Sequence, residues 1–511
     1  MSVTALHPQY EQYKPTWIKM WDCYRGEDRI KECGQKYLPA TSGMIADGMN
    51  GPGSGQYGDP GYEAYRAYLM RSVYHEYVTE AVEGFLGLMH KKSAVIQLPP
   101  ELEPLRNNAT VAGEPLLALL RSMNIEQLVT GRVGILADLP ANSALGTLPY
   151  IALYGAGHII NWDDGTENNS RSNFNLVVLD ETCVMRSNIF EWEERERYRV
   201  LYLGDGQAGV TTGTYHQRVL QEEDDFFSAA EVTPSFRGNE LTTIPFVIAN
   251  TKDIVAACDR PPLLGLANAS LAVYRGEADY RQNLFMQGQD TLVIKGDLTP
   301  NSMDDNIRTG AGTYIKLDQA GDAKYIGVNS QGLSEQRLAL QNDSKAAESR
   351  SAMLASPTSS QVESGDALEI RLAAQTATLQ QIAQTAGYAL EKLLKIIAVW
   401  VGADPNLVSV TPYTDFADLG MQGQDANYWM TAKRAGAPLS LQSIHARFVD
   451  RGLTNMDFET EMAAIKQEQQ KYDFLIPAPA PTPTPQPTQQ PNPNADPNLD
   501  KKPSNAPDSK T

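Results

Sequence analysis

The chain has 511 residues, is 42% hydrophobic and carries 62 Asp and Glu against 43 Lys and Arg, a net charge of −19. That length is enough for two to four folding units and a sizeable core. The acidic balance excludes a protein that holds nucleic acid by neutralising its phosphates, and any contact with DNA is expected to slide, not grip.

Cys23, Cys33, Cys183 and Cys258 form no CxxC pair, and His7, His75, His90, His158, His216 and His445 are scattered, so neither a zinc site nor a disulfide framework is expected. The start, "MSVTALHPQYEQY", has no basic and apolar leader, and "LLKIIAVWV" is too short for a span. A soluble, intracellular chain is expected, with no membrane partner.

In chain order, "PTWIKMWDCYRGEDRIKECGQKYLP" predicts an amphipathic helix or helix pair, and "NGPGSGQYGDPG" a loop. Tyr65, Leu69, Val73, Tyr77, Val78 and Val82 predict one long helix from about Glu63 to Lys91. "GEPLLALLRSMNIEQLVTGRVGILADLP" begins as helix and ends as strand. From Leu148 to Ile248, "LPYIALYGAGHIINW", "FNLVVLDETCVM", "RYRVLYLG" and "TIPFVIA" predict short strands between turns.

After Pro261 the pattern is helical to Gln287, with Pro262 suited to a first turn and Glu277–Arg281 a favourable i,i+4 pair. Gly288 to Val328 is β-rich ("QDTLVIKG", "GTYIKL", "KYIGV"). Leu333 to Leu354 is helical but strongly polar, a helix that cannot bury much of itself in its own domain and needs partners such as copies of itself. "SAMLASPTSSQVESGDALEIRLAAQ" breaks the pattern. Leu368, Leu372, Leu379, Ile382, Ala386, Leu390, Leu393 and Ile397 then mark a helix from about Ala367 to Gly402, with Pro405 past its end. Asp366 and Glu369 form a candidate capping pair after a Ser364-Gly365 bend. Three shorter helices are expected between Gly423 and Lys471, one capped by Ser440 and one preceded by Leu453-Thr454. The tail from Pro477 is too Pro-rich and polar to bury an apolar face and is expected to be disordered or polyproline-like.

"GDGQAG" (Gly204–Gly209) fits GxGxxG, but the β-like "VTTGTYHQRV" follows where a dinucleotide site needs a helix, so a hairpin turn is the better reading. "NWDDGTENNS" (Asn161–Ser170) offers oxygen ligands without EF-hand spacing and reads as a solvated turn. GxSxG, HExxH and Walker A motifs are absent. No catalytic residue, metal ligand or cofactor is assigned, and no enzyme activity is expected.

Four stretches share one resemblance: "WDCYRGEDRIKECGQKYLP"; "VTGRVGILADLP" with "PYIALYGAGHIINW"; "PPLLGLANASLAVYRGEADYRQNLFMQGQDTLVIKG"; and "ESGDALEIRLAAQTATLQQIA" with its SG-x-AL segment. From Tyr10 to Lys471 the chain resembles a tailed-bacteriophage portal protein, of the branch long catalogued as a phage family of unknown function. The resemblance implies an α+β portal-type fold. Residues 1–255 would be the wing, 256–287 and 333–353 the two stem helices, and 288–332 the clip. Residues 354–366 would be the tunnel loop, 367–422 the long helix and wing return, 423–475 the crown, and 476–511 a Pro-rich tail that the family's compact end does not explain. It implies a homo-oligomeric, dodecameric ring at the capsid's portal vertex, assembled in the host cytoplasm, with double-stranded viral DNA passing through its channel. The implied partners are the terminase large subunit, major capsid and scaffold proteins, and head-completion or adaptor proteins. The tunnel-loop residues would be Ser356, Pro357, Thr358, Ser359, Ser360, Gln361, Val362 and Glu363. Clip residues for terminase or adaptor docking would be Asp297, Asp304, Asp305, Asn306, Arg308, Lys316, Asp318 and Asp322. The rival readings are a head–tail adaptor or minor capsid protein and, more remotely, a nucleotide-dependent enzyme using "GDGQAG".

Overall fold

The computed structural model describes residues 3–49, 58–140, 147–165, 174–204, 213–221, 226, 229–287, 291–295, 322–326, 331–352, 365–416, 423–450, 454 and 456–471. The chain divides into two compact units, Met1–Ala417 and Asp418–Thr511.

The first unit opens with helices α1 (Pro8–Tyr24), α2 (Glu27–Glu32), α3 (Ser42–Ala46), α4 (Pro60–Arg71) and α5 (Tyr77–Met89). The expected helix pair at the start is there, turned by Gly26 at φ +89°. That positive φ favours glycine, and a Cβ there would lie 2.3 Å from the Glu76 carboxylate and displace it from the Glu27 amide that it accepts at 2.9 Å. The single helix expected from Glu63 to Lys91 is two helices, broken at residues 72–76. Ser72 turns extended at ψ 149° and its hydroxyl donates to the Leu69 carbonyl at 2.6 Å. The break lets the His75 carbonyl accept from Ser270 and the Tyr74 ring meet Tyr274 edge-on, partners from across the chain that outweigh local helix propensity.

The chain continues through β1 (Val95–Gln97), α6 (Leu116–Thr130), β2 (Arg132–Asp138), β3 (Tyr150–Gly155), β4 (Ile159–Asp163), β5 (Leu176–Asp180), β6 (Cys183–Arg186), β7 (Trp192–Arg195), β8 (Tyr198–Leu203), β9 (Tyr215–Leu220), β10 (Glu231–Val232), β11 (Ser235–Phe236), β12 (Asn239–Glu240) and β13 (Phe246–Asn250). It ends with α7 (Leu264–Gln287), β14 (Thr291–Lys295), β15 (Asp322–Ile326), α8 (Gln331–Ala352), α9 (Gly365–Val401) and β16 (Ser409–Thr411).

An antiparallel sheet β13-β2-β3 lies at the centre. Every residue of β2 is buried, because both of its faces are covered. Val133, Ile135 and Ala137, with Val247 and Ala249 of β13, face a core built by α6 and α9. Leu136, with Phe246 and Ile248, faces the five-stranded antiparallel sheet β10-β9-β8-β5-β4. The period of two along each strand thus separates two cores. A third core joins α1, α4, α5 and α7 through Met20, Tyr68, Phe85 and Tyr274.

Helix α9, 37 residues and about 55 Å long, enters all three cores. Leu379 and Ile382 pack into the α1–α7 cluster, Leu390, Leu393 and Ile397 into the α6 cluster, and Trp400 into the five-stranded sheet's cluster. The Trp400 indole donates to the Asn239 carbonyl at 3.2 Å. From Leu379 to Ile397 the apolar stripe read from the sequence is this buried face. The helix starts at Gly365, so Asp366 lies inside its first turn and not ahead of it. Gly402, at φ +80°, ends the helix, and Pro405 opens the next short turn. Pro262 precedes α7 by two residues.

The second unit holds α10 (Gly423–Arg434), α11 (Leu441–Asp450) and α12 (Phe458–Lys471), the three helices expected. Ser440 caps α11 by accepting the Ser443 amide at 3.0 Å. The cap of α12 is Asp457, which accepts the Thr460 amide at 3.1 Å; Thr454 instead donates to Glu461.

Candidate channel and docking segments

Helices α7 and α8 pack antiparallel, with Asn283 donating to Gln336 at 3.0 Å and Leu340 lying 3.5 Å from where a Cβ on Gly276 would be. As far as Asp279, α7 is tied down by side-chain hydrogen bonds to four other segments. Lys19 reaches Asn268, Ser270 reaches the His75 carbonyl, Arg275 donates to the Tyr37 carbonyl, and the Tyr68 hydroxyl meets Asp279 at 2.6 Å. From Asp279 to Met286 no side chain of α7 is buried, and Leu284, Phe285 and Met286 are exposed, with the Arg71 guanidinium 4.0 Å over the Phe285 ring. The Glu277–Arg281 pair read from the sequence forms at 2.6 Å.

Helix α8 is barer still. From Gly332 to Glu348 only Ala347 is buried, against α5, and Leu338 is 53% exposed. A 22-residue helix with one buried side chain among its described residues gains little there from its own chain.

Between α7 and α8 lies the antiparallel pair β14–β15, with Lys295 opposite Asp322. Asp322 is the one expected docking residue whose position is described; its carboxylate pairs with Lys324 at 3.0 Å, both exposed, a contact worth at most about 1 kcal/mol. Asp297, Asp304, Asp305, Asn306, Arg308, Lys316 and Asp318 lie outside the described residues. So do Ser356 through Glu363, whose flanks are the end of α8 at Ala352 and the start of α9 at Gly365.

Strands β5 and β8 continue without change of register into β6 and β7: Asp180 faces Tyr198 and Cys183 faces Arg195, with the Glu181 amide donating to the Arg197 carbonyl at 2.7 Å between them. This single ribbon has two halves. The inner half carries a buried charge network. Arg199 donates to Asp138 at 2.7 Å and to Glu181 at 2.6 Å, Gln217 donates to Asp138, and the Tyr154 hydroxyl donates to Glu181. Burial alone would push the Glu181 carboxyl up, but Arg199, Tyr154 and Arg197 hold it below the usual carboxylate range. A similar hub forms where Asp22, buried in the last turn of α1, is met by Lys36, Tyr37 and Arg29, which overcome desolvation and lower its pKa. The outer half of the ribbon, β6 and β7, is exposed at every position. Neither half stands out in the sequence. Arg199 alternates like any strand residue, and the one available signal for the outer half is "IFEW", apolar residues set among acids between two strands.

Strand β8 is followed directly by its antiparallel neighbour β9, with the Gly204 amide bonded to the Thr214 carbonyl. "GDGQAG" therefore begins the connection between two paired antiparallel strands; its residues 205–209 are among 205–212, which lie outside the described residues. In "NWDDGTENNS", Asp163 accepts the Gly165 amide at 2.9 Å, a local Asx turn. Among the described residues no group of three or more His, Cys, Asp or Glu could hold a metal ion, and no helix is long and apolar enough to cross a membrane.

A family model described as "Domain of unknown function (DUF4055)" matches residues 262–401, the run from α7 to α9. No curated protein matches. Among solved structures, this chain is similar at 13% identity and a TM-score of 0.34 to one described as "Neck of native GTA particle computed with C12 symmetry", over 72% of this chain and 89% of that one. It is similar at 13% identity and 0.37 to "Neck of empty GTA particle computed with C6 symmetry", over 80% and 93%. It is also similar at 14% and 0.37 to "Virion of native gene transfer agent (GTA) particle", over 80% and 98%.

Proposed function

We propose that this chain is the portal subunit of a tailed-phage-like particle, a non-enzymatic ring of identical copies at one capsid vertex through which double-stranded DNA is packaged and ejected. The observation that carries the reading is α8, a long helix with one buried side chain among its described residues, paired with α7, with a small β pair between the two and followed by α9, which is buried from Leu379 on. Copies packed side by side would cover what a single chain leaves in water, through a head-to-tail interface that closes on itself. A two-stranded β pair is marginal alone and gains from neighbours in the same way.

In this reading 288–332 is the clip where terminase and later head-completion proteins dock, and 354–366 is the tunnel loop. The net charge of −19 keeps DNA sliding, with only charges within about 8 Å of the lumen felt at physiological salt. Packaging energy comes from a separate ATPase. The ring's place is the virion, with assembly in the host cytoplasm.

Negative-stain images of the purified full chain test this. Rings with a central hole are expected; a monodisperse monomer, alone and with scaffold, overturns the reading. Deleting Pro357–Gln361 should leave the rings intact and impair packaging or retention of DNA. Normal packaging by the deletion would remove the loop's assigned role.

A further inference from the structure

The outer ribbon is an arm that its own chain does not cover. At ~3.3 Å per residue its tip stands roughly 25 Å beyond Asp180. The tip is held in one shape. Asn188 Oδ1 accepts the Phe190 and Glu191 amides at 2.9 and 3.0 Å, the Ser187 amide bonds the Glu191 carbonyl at 3.0 Å, and Arg186 Nε donates to the Ile189 carbonyl at 2.9 Å. Those bonds display Ile189 at 69% and Phe190 at 87% exposure, with Trp192 behind them at 66%. A preorganised apolar tip is what an interface anchor needs, because little side-chain or loop entropy is left to lose. Glu191, Glu193, Glu194 and Glu196 outnumber Arg186 and Arg195 around it.

The same unit carries a groove of complementary character. It runs between α9 and the segment after β12, holds about 550 Å³, and is lined by Leu241, Tyr388, Ile396 and Val399 with Lys392 and Lys395. Tyr388 and Val399 are 60% and 58% exposed. Lys395 is paired with Glu391, whose other oxygen accepts the Val410 amide. Glu240 stands exposed at the rim. Lys392 is half-buried, with no hydrogen bond or ion pair among the described residues, and desolvation lowers its pKa. A carboxylate brought to it would relieve that cost.

We propose that the arm of one copy docks in the α9 groove of the next. Ile189 and Phe190 lie on Leu241, Ile396 and Val399, and an arm carboxylate, Glu194 or Glu193, meets the Lys392 ammonium. The arm's acidic flank and the groove's unpaired lysine argue for this occupant, and the contact is head-to-tail, as a ring requires. The inference rests on the ring reading above.

The test uses the full chain with Cys183→Ser, adding Phe190→Cys and Val399→Cys together or singly, under mild oxidation. A ladder of disulfide-linked multimers that needs both new cysteines is expected. In parallel, Phe190→Asp should weaken association at least tenfold by light scattering while the thermal midpoint of the monomer stays put. Lys392→Glu should also weaken association, and Glu194→Lys should restore it in the Lys392→Glu background. Rings that form normally with Phe190→Asp and give no paired ladder overturn the arm while leaving the portal reading standing. A wild-type chain that never associates and gives no ladder overturns both.

Discussion

Helices α8 and α9 follow one another in the chain and are both long, yet they differ in what surrounds them. Helix α9 threads three cores and ends with Trp400 wholly buried, whereas α8 buries Ala347 and little else along its described length. The β-ribbon repeats the division within a single hairpin, its inner half closed around Arg199 and its outer half bare. In both cases the covered part carries large apolar groups or fully paired charges. The uncovered part is polar in α8 and mixed in the arm. These two segments leave nearly all of their described side chains in water, the pattern expected when burial is completed by other molecules.

The contrast can be broken at its strongest point first. Trp400→Ala should cost ~3–5 kcal/mol, because it removes the largest fully buried side chain among the described residues and leaves a cavity between α9 and the strand β12. A thermal midpoint within a degree of wild type would mean that α9 is not anchored as described. Next comes Arg199→Met. It leaves the buried Asp138 with neutral donors only and Glu181 with Arg197 and Tyr154, at a cost of about 3–5 kcal/mol near neutral pH. The sign with pH follows from Glu181. Its folded pKa lies below the ordinary 4.5, so its contribution is present above that value and is lost as pH falls through the lower folded pKa. The gap between wild type and variant in urea titrations should therefore narrow below about pH 4.5. A gap that stays constant to pH 3 would place the stabilisation elsewhere. The smallest effect on folding is expected at Leu338→Glu, within about 0.5 kcal/mol, since that side chain is already in water. The same change should nevertheless lower ring yield, because it sets a charge on the face that copies would share. A large loss of monomer stability would show that α8 is covered by its own chain after all.

Much of the architecture is legible in the amino-acid sequence. The α9 stripe, the three terminal helices, the strand-rich middle and the nature of α8 follow from periodicity and composition, which report how much of an element can be buried. The features that are not legible depend on partners distant in sequence. The break after Arg71 is decided by Ser270 and Tyr274, about two hundred residues away. Arg199 looks like an ordinary strand residue until Asp138 and Glu181 arrive beside it. Leu453-Thr454 precedes α12 as expected, but the residue that caps it, Asp457, is fixed only by its bond to the Thr460 amide while Thr454 turns to Glu461. Of the expected site residues, Asp322 alone lies among the described positions.

Sharing one helix among three cores has a mechanical consequence. No core can open without withdrawing part of α9, so the clusters around Phe85, Val133 and Leu201 should lose their slowest-exchanging amides together. Tension applied at Gly365, where the segment after α8 joins the helix, would travel along a single rod of about 55 Å into the whole first unit. A subunit built this way resists a pull on that segment as one body, and gives way as one.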